Sequence, residues 1–134
     1  ICVAAHLLHP VPVVPVRADR VYRQIALNAA AREIANRIRK TGESLPVYSD
    51  TYQSTALLRF QSLDARQVDG VTRPSHFTRP PRRLTDVDRA FYVAESPLPE
   101  KFCEGFPPPE VIATISVDYR GVTDRTLRIY LYSR

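Results

Sequence analysis

A chain of 134 residues, 44% hydrophobic and 25% charged, has room for one domain with a core of its own and needs no disulfide or metal staple. Its net charge of +5 rests on arginine, with Lys40 and Lys101 the only lysines, so phosphate, carboxylate and anionic lipid are admissible partners and none is required. Most of the 12 prolines, against 4 glycines, fall in short extended connections among apolar residues, which argues against a disordered tract.

The chain opens on ICVAAHLL, apolar apart from His6 and too short to span a bilayer. It reads either as a strand or as the end of a transmembrane helix, and HPVPVVPVRADR is an extended exit from it. With no Met anywhere, the chain reads as a fragment of a longer protein. Cys2 and Cys103 are isolated thiols. Two free cysteines are the preferred reading, a single bridge stays open, and the count fixes no redox compartment.

Ala18 to Lys40 has the pattern of a long helix. Val21, Ile25, Ala29, Ile34 and Ile38, with Ala26, Ala30 and Ala31 alongside, define its apolar face. Asp19 suits the first turn, and Arg37, Arg39 and Lys40 suit the last, where the macrodipole favours cations. Gly42 suits a C-terminal cap.

Leu45 to Phe60, LPVYSDTYQSTALLRF, predicts a short buried strand, a polar turn and an amphipathic helix with Ala56, Leu57 and Phe60 on its apolar side. This is half of a βαβ unit, in which ligands gather at the strand's C-terminal end by the helix N-terminus. Asp50, Tyr52 and Gln53 are candidate binding residues there, with Asp50 able to accept a sugar hydroxyl. Asp50 or Thr51 also suits the helix cap, a role compatible with binding. The turn SDTYQ contains no glycine, which excludes the usual dinucleotide cradle.

A strand follows at Ala65 to Val68, then a basic loop, DGVTRPSHFTRPPRR. Arginines interleaved with an aromatic can hold a phosphate and stack a ring, so Arg73, His76 and Arg79 join the candidate ligand-binding residues. The alternative is a solvated loop stiffened by Pro74, Pro80 and Pro81. Ala90 to Ala94 is a continuous apolar run, hence a buried central strand, preceded by a polar turn at Asp86 and Asp88. Glu95 to Pro109 is a proline-rich connection carrying Phe102 and Phe106, with a short helix expected around Glu100 to Glu104. A closing hairpin is expected, with Val111, Ala113, Ile115, Val117 and Tyr119 on one side of its first strand and Gly121 in the turn region. In its last strand Leu127, Ile129 and Leu131 alternate with Arg128, Tyr130 and Tyr132. The fold class is α/β: a small Rossmann-like layered sheet with early parallel strands and an antiparallel C-terminal hairpin.

His6, His9 and His76 are too scattered for a metal site, and neither cysteine lies in a nucleophile motif, so no metal, cofactor or catalytic residue is expected. No helix-turn-helix, zinc-finger or RRM signature organises the charge, so nucleic acid is not an expected partner.

Several stretches together resemble a known family. AAHLLHPVPVVP, VYSDTYQSTALLRF, DGVTRPSHF, AFYVAE and VDYRGVTDRTLRIYLYSR follow one another as in the soluble C-terminal domain of bacterial membrane glycosyltransferases of the dolichyl-phosphate-mannose protein mannosyltransferase type, the aminoarabinose transferase-like superfamily. The resemblance runs from about His9 to Arg134. It departs where the family often ends its second helix in Phe-Tyr, for here Phe60 is followed by Gln61. The resemblance implies that residues 1–17 are the end of a membrane segment with its linker and that 18–134 form a single soluble domain on the periplasmic face. It implies catalytic acids in the membrane-embedded part of the parent, outside this chain. The domain would be an accessory one, partnered by the transmembrane part of the same protein and contacting a polyprenyl-phosphate-linked sugar or its acceptor. The competing reading from the residues alone is a stand-alone module for a phosphorylated or nucleotide ligand.

Overall fold

The computed structural model describes residues 20–68, 70, 71, 73, 86–97, 107–119 and 121–134. The opening apolar segment, Cys2, Cys103, His76, Arg79 and the expected short helix around Glu100 lie outside the described residues. Two helices and five strands follow in the order α1 (Arg20–Lys40), β1 (Val47–Ser49), α2 (Tyr52–Phe60), β2 (Ala65–Gln67), β3 (Arg89–Ala94), β4 (Glu110–Tyr119) and β5 (Val122–Ser133). This is the expected order and fold class. The strands form one mixed sheet, β2-β1-β3-β5-β4. β1 pairs in parallel with both β2 and β3, whereas β5 runs antiparallel to β3 and to β4.

The expected central strand AFYVA is the middle of this sheet, and Ala90 to Ala94 are all buried. Its alternate side chains serve two cores. Phe91 and Val93 join Val47, Ala65, Ile115, Val117, Leu127 and Ile129 on the face that both helices cover. Ala90, Tyr92 and Ala94 join Tyr48, Val68, Tyr130 and Tyr132 on the other face, where Val71 and Val87 pack among the described residues. Registration puts Tyr48 opposite Tyr92 and Tyr92 opposite Tyr130, a row of tyrosines across three strands. The Tyr92 and Tyr130 rings lie 5.8 Å apart, within the range of favourable aromatic pairs.

α1 ends as its sequence dictates. Arg37, Arg39 and Lys40 occupy the last turn, and Gly42 takes a φ of 71°, where a Cβ would be strained. Its packing face, however, is rotated from the expected one. Ala30, Ala31, Ile34, Ala35 and Ile38 are buried, whereas Ile25 is 48% exposed and Ala29 is also exposed. The alanines set the phase because they let the helix lie close against the sheet.

α2 also presents a different side from the one predicted. Thr55 and Leu58 are buried, Leu57 is half-buried, and Phe60 is 77% exposed. The cause is a polar contact: Thr55 Oγ1 lies 2.6 Å from Ser49 Oγ and donates to the Thr51 carbonyl at 2.9 Å. Tying Thr55 to the end of β1 turns Leu58, almost one turn on, into the core and Phe60 away from it.

The hairpin's last strand alternates as expected. Its first strand does not: Ala113 pairs with Ile129 but Val111 pairs with Tyr130, so Ile112 is an extra residue between them. This bulge sends Val111, 49% exposed, to the tyrosine side of the sheet and lets Ile112 pack on the helical side.

Candidate functional site

β1 leads to β2 on one side, and the chain then returns to place β3 on β1's other side. The carboxyl ends of β1 and β3 therefore flank a topological switch point, where open α/β sheets bind ligands. Ser49 is opposite Val93, so Asp50 and Glu95 leave the two strands side by side. Burial pushes the Asp50 carboxyl above its ordinary pKa, and the negative charge of Glu95 adds to this. Backbone N–H groups of Asp50, Thr51 and Glu95 pull in the opposite direction by bonding the ionised form.

β5 supplies two cations to the same corner. Arg125 Nη1 pairs with Glu95 Oε1 at 3.1 Å, and Arg128 Nη1 donates to the Glu95 carbonyl at 2.7 Å. The Arg125 pair is partly exposed, so it orients the two side chains more than it stabilises the fold.

α2 begins immediately beyond Asp50. Thr51 is its N-cap, with extended φ and ψ of −125° and 151°, and its Oγ1 accepts the Ser54 N–H at 3.2 Å. The same hydroxyl donates to Ser54 Oγ at 2.9 Å. Ser54 Oγ thus accepts a hydrogen bond and keeps its own O–H free to donate outward. Capping falls to Thr51, which leaves Asp50 to the strand-end cluster.

A groove of about 470 Å³ opens between the start of α1, the first turns of α2 and the start of β5. Gln24, Thr51, Gln53, Ser54 and Arg125 give it a polar rim, while Leu27, Leu57 and Leu127 give it an apolar wall. Beneath it an apolar niche of about 20 Å³ reaches Ala31, Ile34, Leu58 and Val93. The volume is that of a small-molecule cleft, and the lining can present amide and hydroxyl groups to one edge of a ligand and hydrocarbon to its face.

Of the candidate residues, Gln53 lines this groove. Asp50 lies at the strand end beside Glu95, and Tyr52, 41% exposed, is the first residue of α2. Arg73 is exposed, and its carbonyl accepts from Gln67 Nε2 at 3.0 Å, so its backbone sits by the carboxyl end of β2. His76 and Arg79 lie outside the described residues. Gln24, Glu95 and Arg125 are functional positions that the sequence pattern alone does not single out. Arg125 had a signal, for it precedes Leu127, Ile129 and Leu131 by even steps on β5 and so shares their face. Gln24 had none, because only the packing of α1 against the sheet brings it to α2.

Among the described residues no group of three or more His, Cys, Asp or Glu side chains is placed to hold a metal ion. Among them, too, no helix is long and apolar enough to cross a membrane. No protein-family model, curated protein or solved structure matches the chain.

Proposed function

We propose that the chain is an accessory, extracytoplasmic domain of an integral-membrane glycosyltransferase that uses a polyprenyl-phosphate-linked sugar. In this reading it helps to receive the sugar-bearing end of that substrate or its acceptor. Catalysis belongs to the membrane part of the same parent protein. The observation that carries the reading is the groove at the switch point, with Gln24, Gln53 and Ser54 on its rim and leucines on its wall. A sugar ring has the matching character, with hydroxyls at its edge and C–H groups on its face.

The competing reading, a stand-alone module for a phosphorylated or nucleotide ligand, draws on the α2 N-terminus and on Arg73. It is the weaker one on charge. The phosphate end of such a ligand would meet Asp50 and Glu95, and the one cation among the described groove-lining residues, Arg125, is already paired with Glu95.

The test uses the full-length parent protein with an epitope after Arg134. It should fractionate with membranes, and in spheroplasts the epitope should be open to added protease. A parent that fractionates away from membranes, or an epitope protected until lysis, overturns the reading.

A further inference from the structure

The rotated α2 leaves an aromatic side chain outside the core, with no packing partner among the described residues. Phe60 is 77% exposed at the end of the helix, far more than a packed aromatic of this size. Its surroundings are not random. Gln61, the next residue, is gripped by α1 at two points: Gln61 Nε2 donates to Asn28 Oδ1 at 3.2 Å, and Arg39 Nη2 donates to the Gln61 carbonyl. Asn28, Arg32, Asn36 and Arg39 recur at steps of four, four and three residues, which is one stripe of a helix. Asn28 and Arg39 both reach Gln61, the residue that follows Phe60, and Arg32 lies between them on the same stripe. Ile25, 48% exposed, continues the stripe at one end, and exposed Lys40 follows Arg39 at the other.

The charge of this surface is one-sided. Arg32, Arg39 and Lys40 are exposed. The described acids nearest in sequence are already engaged: Glu33 pairs with Arg37 at 2.7 Å, Glu43 with Arg89 at 3.2 Å, and Asp64 has an interaction of its own. An apolar anchor beside a row of cations is an arrangement that seats on an anionic bilayer. The aromatic enters the headgroup boundary, and long basic side chains keep their charge among the phosphates.

We infer that the α1–α2 face around Phe60 docks on an anionic lipid surface, with Phe60 and Ile25 entering it and Arg32, Arg39 and Lys40 contacting headgroup phosphates. This goes beyond the proposed function and does not depend on what the groove binds. A nearby membrane would be a surface to lie on, whichever protein supplies it.

The test is co-sedimentation of the chain with vesicles of phosphatidylcholine alone and of phosphatidylcholine mixed with phosphatidylglycerol. Binding is expected to the mixed vesicles, to be much weaker on the neutral ones, and to fall as salt is raised. Arg32→Ala and Lys40→Ala, which remove no hydrogen bond described above, should each weaken binding about fivefold. Phe60→Ser should weaken it further while leaving thermal unfolding unchanged, since the ring is outside the core. Absence of binding to the mixed vesicles overturns the inference. So does binding that Phe60→Ser, Arg32→Ala and Lys40→Ala all leave intact, because the contact would then lie elsewhere on the chain. Self-association that Phe60→Ser abolishes, in a chain that ignores vesicles, would assign the face to a second copy and overturn it equally.

Discussion

Asp50 shows how one side chain is caught between opposed effects. Burial and the neighbouring Glu95 raise its pKa, and three backbone N–H groups oppose them without prevailing. The folded chain therefore keeps the Asp50 proton to a higher pH than the unfolded chain does. The stabilising contribution of that proton is complete in acid, below the unfolded pKa, and is lost as pH rises through the folded pKa. At neutral pH the ionised carboxylate is a net cost. Asp50→Asn, which keeps an oxygen to accept the same N–H groups, should raise the unfolding temperature at neutral pH and lose that advantage in acid. Thermal unfolding of both chains across pH checks this, and an advantage that grows in acid would contradict it. Tyr130 makes a second residue-level case. Its hydroxyl is buried without a hydrogen-bond partner among the described residues, although its ring is packed against Tyr92. Tyr130→Phe removes the unpaired oxygen and keeps the ring, and should stabilise the chain by about 1 kcal/mol in urea titration.

At the scale of elements, the side that α2 turns inward is chosen by polar contacts near its start, while Leu58 supplies the larger share of its stability. Its cap was legible: Ser49, Asp50 and Thr51 before a helical run announce a start, and Thr51 provides it. Its buried side was not, because Thr55 reads as polar and becomes an inward residue only through Ser49 Oγ. Three substitutions rank these contributions. Thr51→Ala should cost about 1 kcal/mol through the lost cap. Leu58→Ala should cost roughly 2–5 kcal/mol, since Leu58 is fully buried between helix and sheet. Phe60→Ala should change stability by no more than about 0.5 kcal/mol. Chemical denaturation of the three variants checks the order, and a Phe60 loss equal to that of Leu58 would mean that the ring is packed after all. β4 fails from alternation alone for a related reason. An inserted residue changes which face every earlier position occupies, and a bulge leaves no mark in a run of Val, Ile and Ala.

For the whole molecule, the class of fold was legible because each strand carries its own signature. AFYVA is apolar without a break and becomes the strand buried on both faces, and Leu127 to Tyr132 alternates because the two faces of the sheet differ. The groove was legible only in part. Gln53 could be placed by its distance from a strand end, but Gln24 and Arg125 reach it from elements far away in the chain. The sheet order also fixes how the molecule should loosen. β3 lies at its centre, paired with β1 and β5, while β2 is a three-residue edge strand. Amide hydrogen exchange should be slowest at Phe91 to Ala94 and at Ile129 to Leu131 and markedly faster in β2. Equal protection in β2 would show that the edge does not open before the centre.

The bulge in β4 has one more effect, on the company the chain keeps. β4 is the other edge strand, ten residues long, and an edge of that length invites a neighbour to extend the sheet. Two copies laid antiparallel about Thr114 would bring Glu110 of each level with Asp118 of the other, acid beside acid. Ile112 would at the same time interrupt the run of backbone groups on offer. The irregularity that reassigns Val111 from one face to the other thus also makes the strand a poor template for its own sequence in that register.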